Sequence, residues 1–240
     1  MIFNRIRNKA LSLFKLQSKT TYSQCGEDVI VEFALSLFKK TAPSYLDIGA
    51  HHPTHLSNTR LLYGRGGKGV CVEPNPVLCD NFQKRRPKDI CLNIGISPDQ
   101  EVKPLSFYIL NDLSLSTFSK EVAENITSDG IHSITETREV ACFPVNHIIA
   151  KYFDPCPDFV SLDTEGLDLQ ILQSFDFASY RPLLFCIETL DYSTHTKMHD
   201  VIQLMSENNY QAYADTFVNT IFIDSDKLNE WLHEWRMAHG

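Results

Sequence analysis

Five acidic side chains stand at, near or just after the end of short apolar runs that have the composition of buried β-strands. They are Asp47, Glu73, Asp163, Glu165 and Glu188. In an open α/β sheet, ligands bind in the crevice outside the carboxyl ends of the parallel strands. The pattern therefore predicts that these carboxylates gather along one edge of a sheet and form a ligand site there.

The turn after the first of these strands indicates what kind of ligand the site holds. It reads Gly49-Ala50-His51-His52-Pro53 and lacks the second and third glycines of a pyrophosphate-binding G-x-G-x-x-G turn. Pro53 also has no backbone N–H to offer a phosphate. Glu73 follows at about the 20-residue spacing from which an acid binds ribose hydroxyls. The site therefore favours a nucleoside without a pyrophosphate. S-adenosylmethionine (SAM) is the common ligand of that kind, and its cationic groups suit Asp47.

The composition excludes several classes of protein. The chain has 240 residues, 43% of them hydrophobic, and a formal net charge of −8. One α/β domain with a large core fits that length. The negative charge argues against nucleic acid as a partner, because binding to a phosphate backbone needs a basic face. No apolar run approaches the ~20 residues of a membrane-spanning helix.

Seven cysteines are scattered along the chain without a C-x-x-C pair or a metal-like spacing. Cys71, Cys91 and Cys186 lie inside apolar, strand-like runs. They are therefore predicted to be small buried residues of a protein that works in the reducing cytoplasm.

Residues 1–20 form a basic segment with apolar residues near helical spacing and no acid. One interpretation is a surface helix that makes weak contact with anionic lipid at the inner face of the membrane. The other is a helix that caps the domain, or a frayed tail. The predicted organisation is a basic segment over residues 1–21 followed by a single domain over residues 22–240.

Three further stretches carry structural predictions. Ser23 is a plausible N-cap for a helix that runs to about Phe38. Residues 76–86 are predicted to be a helix whose C-terminal basic cluster, which includes Arg86, is favoured by the helix dipole. Residues 111–137 are polar and are predicted to be a long loop. This loop is expected to select the acceptor substrate.

Six ordered stretches resemble the FkbM family of SAM-dependent methyltransferases. They are YSQCGEDVI at 22–30, YLDIGAHHP at 45–53, SNTRLLY at 57–63, GVCVEPNP at 69–76, LNIGIS at 92–97 and FVSLDTEGLDLQIL at 159–172. The resemblance covers roughly residues 22–225. It implies an α/β, Rossmann-like class I methyltransferase fold, with a seven-stranded, mostly parallel sheet flanked by helices and an antiparallel final strand. It also implies methyl transfer from SAM, usually to a hydroxyl on a sugar, a glycan or a secondary metabolite.

The same resemblance implies roles for individual residues. The residues expected at the SAM site are Gln24, Asp47, Gly49, Ala50, Glu73, Pro74, Asn93 and Gly95. Within that set, Glu73 would hold the ribose, and Asn93 and Gly95 would border the adenine. Asp163 would face the transferred methyl group. The acceptor is expected to be a small molecule or a glycan, and neither its identity nor the oligomeric state follows from the sequence.

A hydroxyl acceptor needs a base within hydrogen-bond reach or a metal ion that lowers its pKa. Asp163 and Glu165 are the first candidates for the catalytic role, with His51 or His52 as alternative bases. A divalent ion held by Asp163 and Glu188 is a further alternative, for which oxygen ligands favour Mg²⁺ over zinc. The sequence alone does not choose between a carboxylate base, a histidine base and a metal ion.

A zinc site is also suggested by the H-H-x-x-H pattern of His51, His52 and His55. All three side chains would have to converge from one turn, and no second cluster with metal spacing supports the site.

Two other functions remain as alternatives. One is a non-catalytic module that binds SAM or a nucleoside and has no usable acceptor pocket. The other is an NAD-dependent oxidoreductase, which the missing glycines disfavour.

Overall fold

The computed structural model describes residues 18–191 and 194–239. The predicted contact of residues 1–20 with lipid falls almost entirely on residues 1–17, which lie outside the described residues. Among the described residues, no helix combines the length and the apolar character that crossing a membrane requires.

The described helices and strands alternate through much of the chain. The helices are α1 (Glu27–Leu37), α2 (Arg60–Gly64), α3 (Pro76–Arg85), α4 (Lys120–Thr127), α5 (Val145–Tyr152), α6 (Asp168–Ser174), α7 (His199–Glu207) and α8 (Ser225–His239). The strands are β1 (Ser44–Ile48), β2 (Lys68–Val72), β3 (Ile90–Leu92), β4 (Gly95–Ser97), β5 (Lys103–Leu110), β6 (Ile134–Pro144), β7 (Phe159–Leu162), β8 (Leu184–Glu188), β9 (Leu190–Asp191), β10 (Thr196–Lys197), β11 (Tyr210–Asp215) and β12 (Asn219–Asp224).

A seven-stranded sheet forms the centre of the domain, in the order β11-β12-β8-β7-β1-β2-β3. The pairs from β8 to β3 are parallel. Strand β12 is antiparallel to both of its neighbours. The predicted α/β fold, with a mostly parallel seven-stranded sheet and an antiparallel final strand, is therefore confirmed.

Apolar side chains cover both faces of this sheet, because successive residues of a strand point to opposite sides. Leu46 and Leu162 pack on one face with residues of α5, α6 and α7. Tyr45 and Phe159 pack on the other face with residues of α1 and α2. Full burial stabilises each such side chain by about 1.5–3 kcal/mol. This two-sided core fixes the positions at which the strands end.

The region predicted as a long polar loop, residues 111–137, has its own structure. Strands β5 and β6 form an antiparallel pair that is joined by a 3₁₀ turn (Leu113–Leu115) and α4. With β4 they make a three-stranded sheet. Phe107, Val140 and Phe118 pack together in this sheet. The loop prediction was therefore wrong, because the polar strand residues of β6 satisfy their backbone groups by pairing with β5.

The start of α1 also differs from the prediction. The helix begins at Glu27, and its N-cap is Gly26 at φ 94° rather than Ser23. The carboxylate of Asp28 instead accepts hydrogen bonds from the hydroxyls of Thr21 and Ser23 and from the backbone of Tyr22. Asp28 therefore fixes the segment before the helix.

Candidate functional site

An open cleft of about 160 Å³ lies at the carboxyl edge of the seven-stranded sheet. The ends of β1, β2, β7 and β8 reach it through Gly49, Glu73, Asp163 and Glu188. Glu165 also lines it. Four of the five carboxylates that follow apolar runs thus meet at one cleft, and Asp47 is the exception.

Gly49 allows the ends of β1 and β7 to approach closely. Its φ is +75°, and a Cβ at this position would lie 1.7 Å from the carbonyl oxygen of Asp163. The backbone N–H of Asp163 donates to the carbonyl of Ile48 at 3.1 Å. The turn after β1 is consequently held against the backbone of Asp163, the predicted base.

Glu73 lies at the bottom of one end of the cleft and is only 4% exposed. Its Oε1 accepts from the backbone N–H of Asn75 at 2.7 Å, and its Oε2 accepts from that of His51 at 2.8 Å. Burial raises the pKa of Glu73 to about 8 in spite of these two bonds. Since a carboxylate has about four acceptor positions, capacity remains for two hydroxyl donors such as a ribose diol.

The turn that carries Glu73 is braced from the neighbouring strand. The side-chain amide of Asn93 donates to the carbonyls of Glu73 and Pro74 at 2.9 and 2.8 Å. Pro74, Gln24 and Gly95 line the cleft, whereas Asn93 does not. Asn93 thus positions the turn from outside the lining, and its place beside the adenine stays a prediction.

Asp47 and Ala50 also lie outside the lining of the cleft. Asp47 is buried and accepts a hydrogen bond from the hydroxyl of Thr59 at 2.5 Å. Burial raises the pKa of Asp47, and the positive charge of Arg86 opposes that shift. This placement differs from the expected contact between Asp47 and a cationic ligand, because the strand turns the carboxylate into an internal polar network.

Arg86 is the centre of that network, which sequence reasoning missed. Its guanidinium is fully buried and bonds to the carboxylate of Asp89 and to the hydroxyls of Thr59 and Tyr45. Arg86 stands at the C-terminal end of α3 as predicted, but nothing in the sequence indicated that its guanidinium is buried. No sequence signal separated Arg86 from its basic neighbours, since its hydroxyl partners Tyr45 and Thr59 come from distant parts of the chain.

Three carboxylates form the other end of the cleft. Oxygens of Asp163, Glu165 and Glu188 all lie within 4.8 Å of one another. Burial, together with the negative charges of Asp168 and Asp47, raises the pKa of Asp163 to about 7. Burial and Asp163 raise the pKa of Glu165 well above its usual value. Such a group can exchange a proton near neutral pH, and its oxygens could also hold a divalent cation.

The loop between β7 and α6 has an unusual backbone that presents these carboxylates. Glu165 and Gly166 have φ angles of 53° and 113°. The carboxylate of Asp168 accepts from the N–H of Thr164 at 3.1 Å and from that of Gly166 at 3.4 Å. Helix α6 begins at Asp168, so Asp163 is not its N-cap. Asp168 was not predicted as a site residue, although its place in the first turn of a helix was a weak signal.

The histidines contribute one side chain to the cleft. His51 lines it at φ 48°, and its pKa is lowered first by burial and then by His52 and His55. It is therefore neutral at pH 7 and able to accept a proton. Neighbouring histidine rings are more than 6 Å apart between centroids, at 6.4 Å for His51–His52 and 6.3 Å for His52–His55. The metal-compatible group found among the described residues contains no histidine.

Residues of the three-stranded sheet and of the 3₁₀ turn also line the cleft, and this part of the lining is called its roof. Leu113, Ser114, Leu115 and Ser116 line it from this side. The carbonyl of Glu165 accepts a hydrogen bond from the hydroxyl of Thr117 at 2.7 Å, which ties this roof to the carboxylates. Within the part of the chain that the structure describes, the lining contains no lysine or arginine. An anionic ligand group therefore finds no lysine or arginine partner in this described lining.

A protein-family model and several solved structures are similar to this chain. A sequence model of the Methyltransferase FkbM domain matches residues 47–212. No curated protein matches the chain. Among solved structures, an FkbM methyltransferase from Methylobacillus flagellatus KT is 13% identical, with 92% of this chain and 70% of that chain covered and a TM-score of 0.45. A putative caffeoyl-CoA O-methyltransferase from Staphylococcus aureus is 8% identical, with 92% and 91% covered and a TM-score of 0.44.

Proposed function

Because this chain belongs to the FkbM methyltransferase domain family, we propose that it transfers a methyl group from SAM to a hydroxyl of a sugar, a glycan or a secondary metabolite. The observation that carries this proposal is a single cleft with two chemically different ends. Glu73 follows β2, whereas Asp163 and Glu188 stand at the ends of β7 and β8, on the other side of β1, and group with Glu165.

The first end suits a nucleoside. The remaining acceptor positions of Glu73 match the two hydroxyls of a ribose. The lining, within the described residues, has no cation for a pyrophosphate. These acceptor positions and the absence of a cation from the described lining fit SAM better than a dinucleotide such as NAD. SAM would supply the electrophilic methyl group on its sulfonium.

The second end suits activation of a hydroxyl. Asp163, with a pKa near 7, can accept the proton that the hydroxyl loses. Burial and the negative charge of Asp163 raise the pKa of Glu165 and so favour its protonated form, which can donate a hydrogen bond to the acceptor oxygen. His51 is the alternative base, because it is neutral and lines the same cleft. The surrounding side chains hold the hydroxyl in line with the methyl group, and such positioning supplies much of the rate.

The charge of the cleft restricts the acceptor. An ionised Asp163 repels phosphate and carboxylate groups, and the described lining offers such groups no lysine or arginine. The acceptor is therefore a neutral or cationic molecule, such as an unmodified sugar or an amino sugar. A divalent cation held by Asp163 and Glu188 would relax this restriction, and Mg²⁺ suits their oxygen ligands.

The decisive experiment combines binding with turnover. Calorimetry with S-adenosylhomocysteine, with NAD as the control ligand, tests the cofactor. Release of S-adenosylhomocysteine from SAM is then measured with neutral, amino and phosphorylated sugars, in EDTA and in Mg²⁺. Asp163→Asn should keep the binding and reduce turnover by roughly 10²-fold or more, whereas the exposed control Asp80→Asn should change neither.

Each alternative has its own outcome in this experiment. Binding without turnover on any acceptor would support a non-catalytic module. Binding of NAD in place of S-adenosylhomocysteine would support an oxidoreductase. Full turnover by Asp163→Asn would refute the assignment of the base, and turnover that requires Mg²⁺ would support the metal alternative.

A further inference from the structure

Two cysteine thiols are in contact beside the cleft, and the proposed methyl transfer uses neither. Cys79 lies on α3 and Cys91 on β3, and their Sγ atoms are 2.7 Å apart. Both cysteines are free thiols. Since a disulfide bond is about 2.0 Å long, the two sulfur atoms need to approach by only about 0.7 Å to bond.

The pair also has the reactivity that oxidation requires. A thiolate, not a thiol, reacts with peroxides. The contact with Cys91 lowers the pKa of the Cys79 thiol, so Cys79 is the more acidic member of the pair. By contrast, burial raises the pKa of Cys71, the neighbour of Cys91 on β2, well above its usual value. Cys79 is buried, at 4% exposed, but it contacts the partly exposed Cys91, so the pair meets solvent on the side of Cys91.

We propose that Cys79 and Cys91 form a reversible disulfide bond when the protein meets hydrogen peroxide. The thiolate of Cys79 attacks one peroxide oxygen, the O–O bond breaks, and hydroxide leaves with the electron pair. The sulfur of Cys91 then attacks the resulting sulfenic sulfur. The S–S bond forms as the S–O bond breaks, and the thiol proton of Cys91 leaves with the oxygen in water. In sum, two thiols and one peroxide give one disulfide and two waters, and a dithiol reductant reverses the change by exchange.

The bond would brace the turn that carries Glu73. On one side of this turn, the side chain of Asn75 caps α3 and its carbonyl accepts from the N–H of Cys79 at 2.9 Å. On the other side, Asn93 stands two residues after Cys91 and donates to the carbonyls of the turn. A disulfide therefore joins the two supports of the turn, and it closes a loop from residue 79 to residue 91.

The test uses the full chain and peptide mapping. The reduced protein is treated with hydrogen peroxide, quenched, unfolded and alkylated with N-ethylmaleimide. Lys84, Arg85 and Lys88 lie between the two cysteines, so trypsin releases them on separate peptides that only a disulfide joins. The expected product lacks two alkylation sites, contains the linked peptides and reverts with dithiothreitol. Cys79→Ser and Cys91→Ser should each abolish the linkage, whereas Cys25→Ser, which removes an exposed thiol, should retain it.

Two results would overturn the proposal. One is full alkylation of Cys79 and Cys91 under conditions that oxidise the exposed Cys25. The other is a linkage that persists in Cys79→Ser or Cys91→Ser, since the bond would then involve another cysteine.

Hydrogen exchange tests the link to the turn without any ligand. The amides of His51 and Asn75, which donate to Glu73, should exchange more slowly in the oxidised protein. Unchanged or faster exchange would overturn the bracing role. Only an effect of oxidation on nucleoside affinity rests on the proposed function. A protein that forms the disulfide but binds no S-adenosylhomocysteine would therefore refute that function and leave the dithiol site intact.

Discussion

The raised pKa of Glu73 predicts that nucleoside binding depends strongly on pH. Its carboxyl titrates at about pH 8 in the ligand-free protein because it is buried. Hydroxyl donors of a ribose favour the ionised form. If only that form binds, the apparent affinity scales with its fraction, which is roughly 1% at pH 6, 10% at pH 7 and 50% at pH 8. Affinity should therefore rise about tenfold from pH 6 to 7 and about fivefold from pH 7 to 8.

Calorimetry with 5′-methylthioadenosine tests this prediction directly. This ligand carries the ribose and the adenine but no amino-acid group that titrates in the same range. Measurements from pH 6 to 9, in buffers with different protonation enthalpies, give both the affinity and the number of protons released. Close to one proton should leave per binding event below pH 7, and none well above pH 8.

Glu73→Gln is the matched variant, because the wild-type carboxyl is mostly protonated and neutral at pH 7. Its affinity should be nearly independent of pH, and weaker than wild type at pH 8 by roughly 10- to 100-fold, which corresponds to about 1.5–3 kcal/mol for hydrogen bonds to a charged group. Asp163→Asn, which removes the group with a pKa near 7, should retain the rise between pH 7 and 8. Equal wild-type affinity at pH 6 and pH 8 would refute the requirement for an ionised Glu73.

Three further predictions concern the scaffold and are checked by thermal and denaturant unfolding. Gly49→Ala should destabilise the fold by several kcal/mol, because about 1–2 kcal/mol of backbone strain at positive φ adds to the clash with the carbonyl of Asp163. A Gly49→Ala variant as stable as the wild type would refute the close approach of the two strand ends. Arg86→Met should cost about 3–5 kcal/mol, because it leaves Asp89 buried and unpaired, whereas the exposed control Arg65→Ala should cost less than ~1 kcal/mol. The ligand-free protein should lose stability as the pH rises from 7 to 8, because folded Glu73 holds a proton there that the unfolded carboxyl releases. Glu73→Gln should reduce this decline, and the part that remains comes from Asp163, whose pKa is also raised. A wild-type stability that increases over that range would contradict the prediction.

Several features of the site could be predicted from the sequence because they depend on local patterns. Apolar runs that end in an acid mark the ends of buried strands, and parallel strands bring those ends to one edge. This reasoning was sufficient to bring Glu73, Asp163, Glu165 and Glu188 to one cleft. The absence of the second and third glycines from the first turn can also be read locally, and it favours a nucleoside without a pyrophosphate.

Other features required the tertiary structure. Asp47 and Glu73 follow the same sequence pattern, yet one faces an internal network and the other lines the cleft. Arg86 resembles its basic neighbours until its buried partners Tyr45 and Thr59, from distant parts of the chain, are seen around it.

The sequence by itself determined the α/β fold, the acidic residues that follow its buried strands, and the family. These features are carried by apolar runs, strand-end residues and short motifs, each of which spans only a few positions of the chain. Only the tertiary structure decided which carboxylates lie close enough to shift one another's pKa, which thiols are in contact and which polar groups are buried. Those properties depend on distances and burial between residues far apart in sequence, such as Cys79 and Cys91 on two different elements, and no local pattern encodes them.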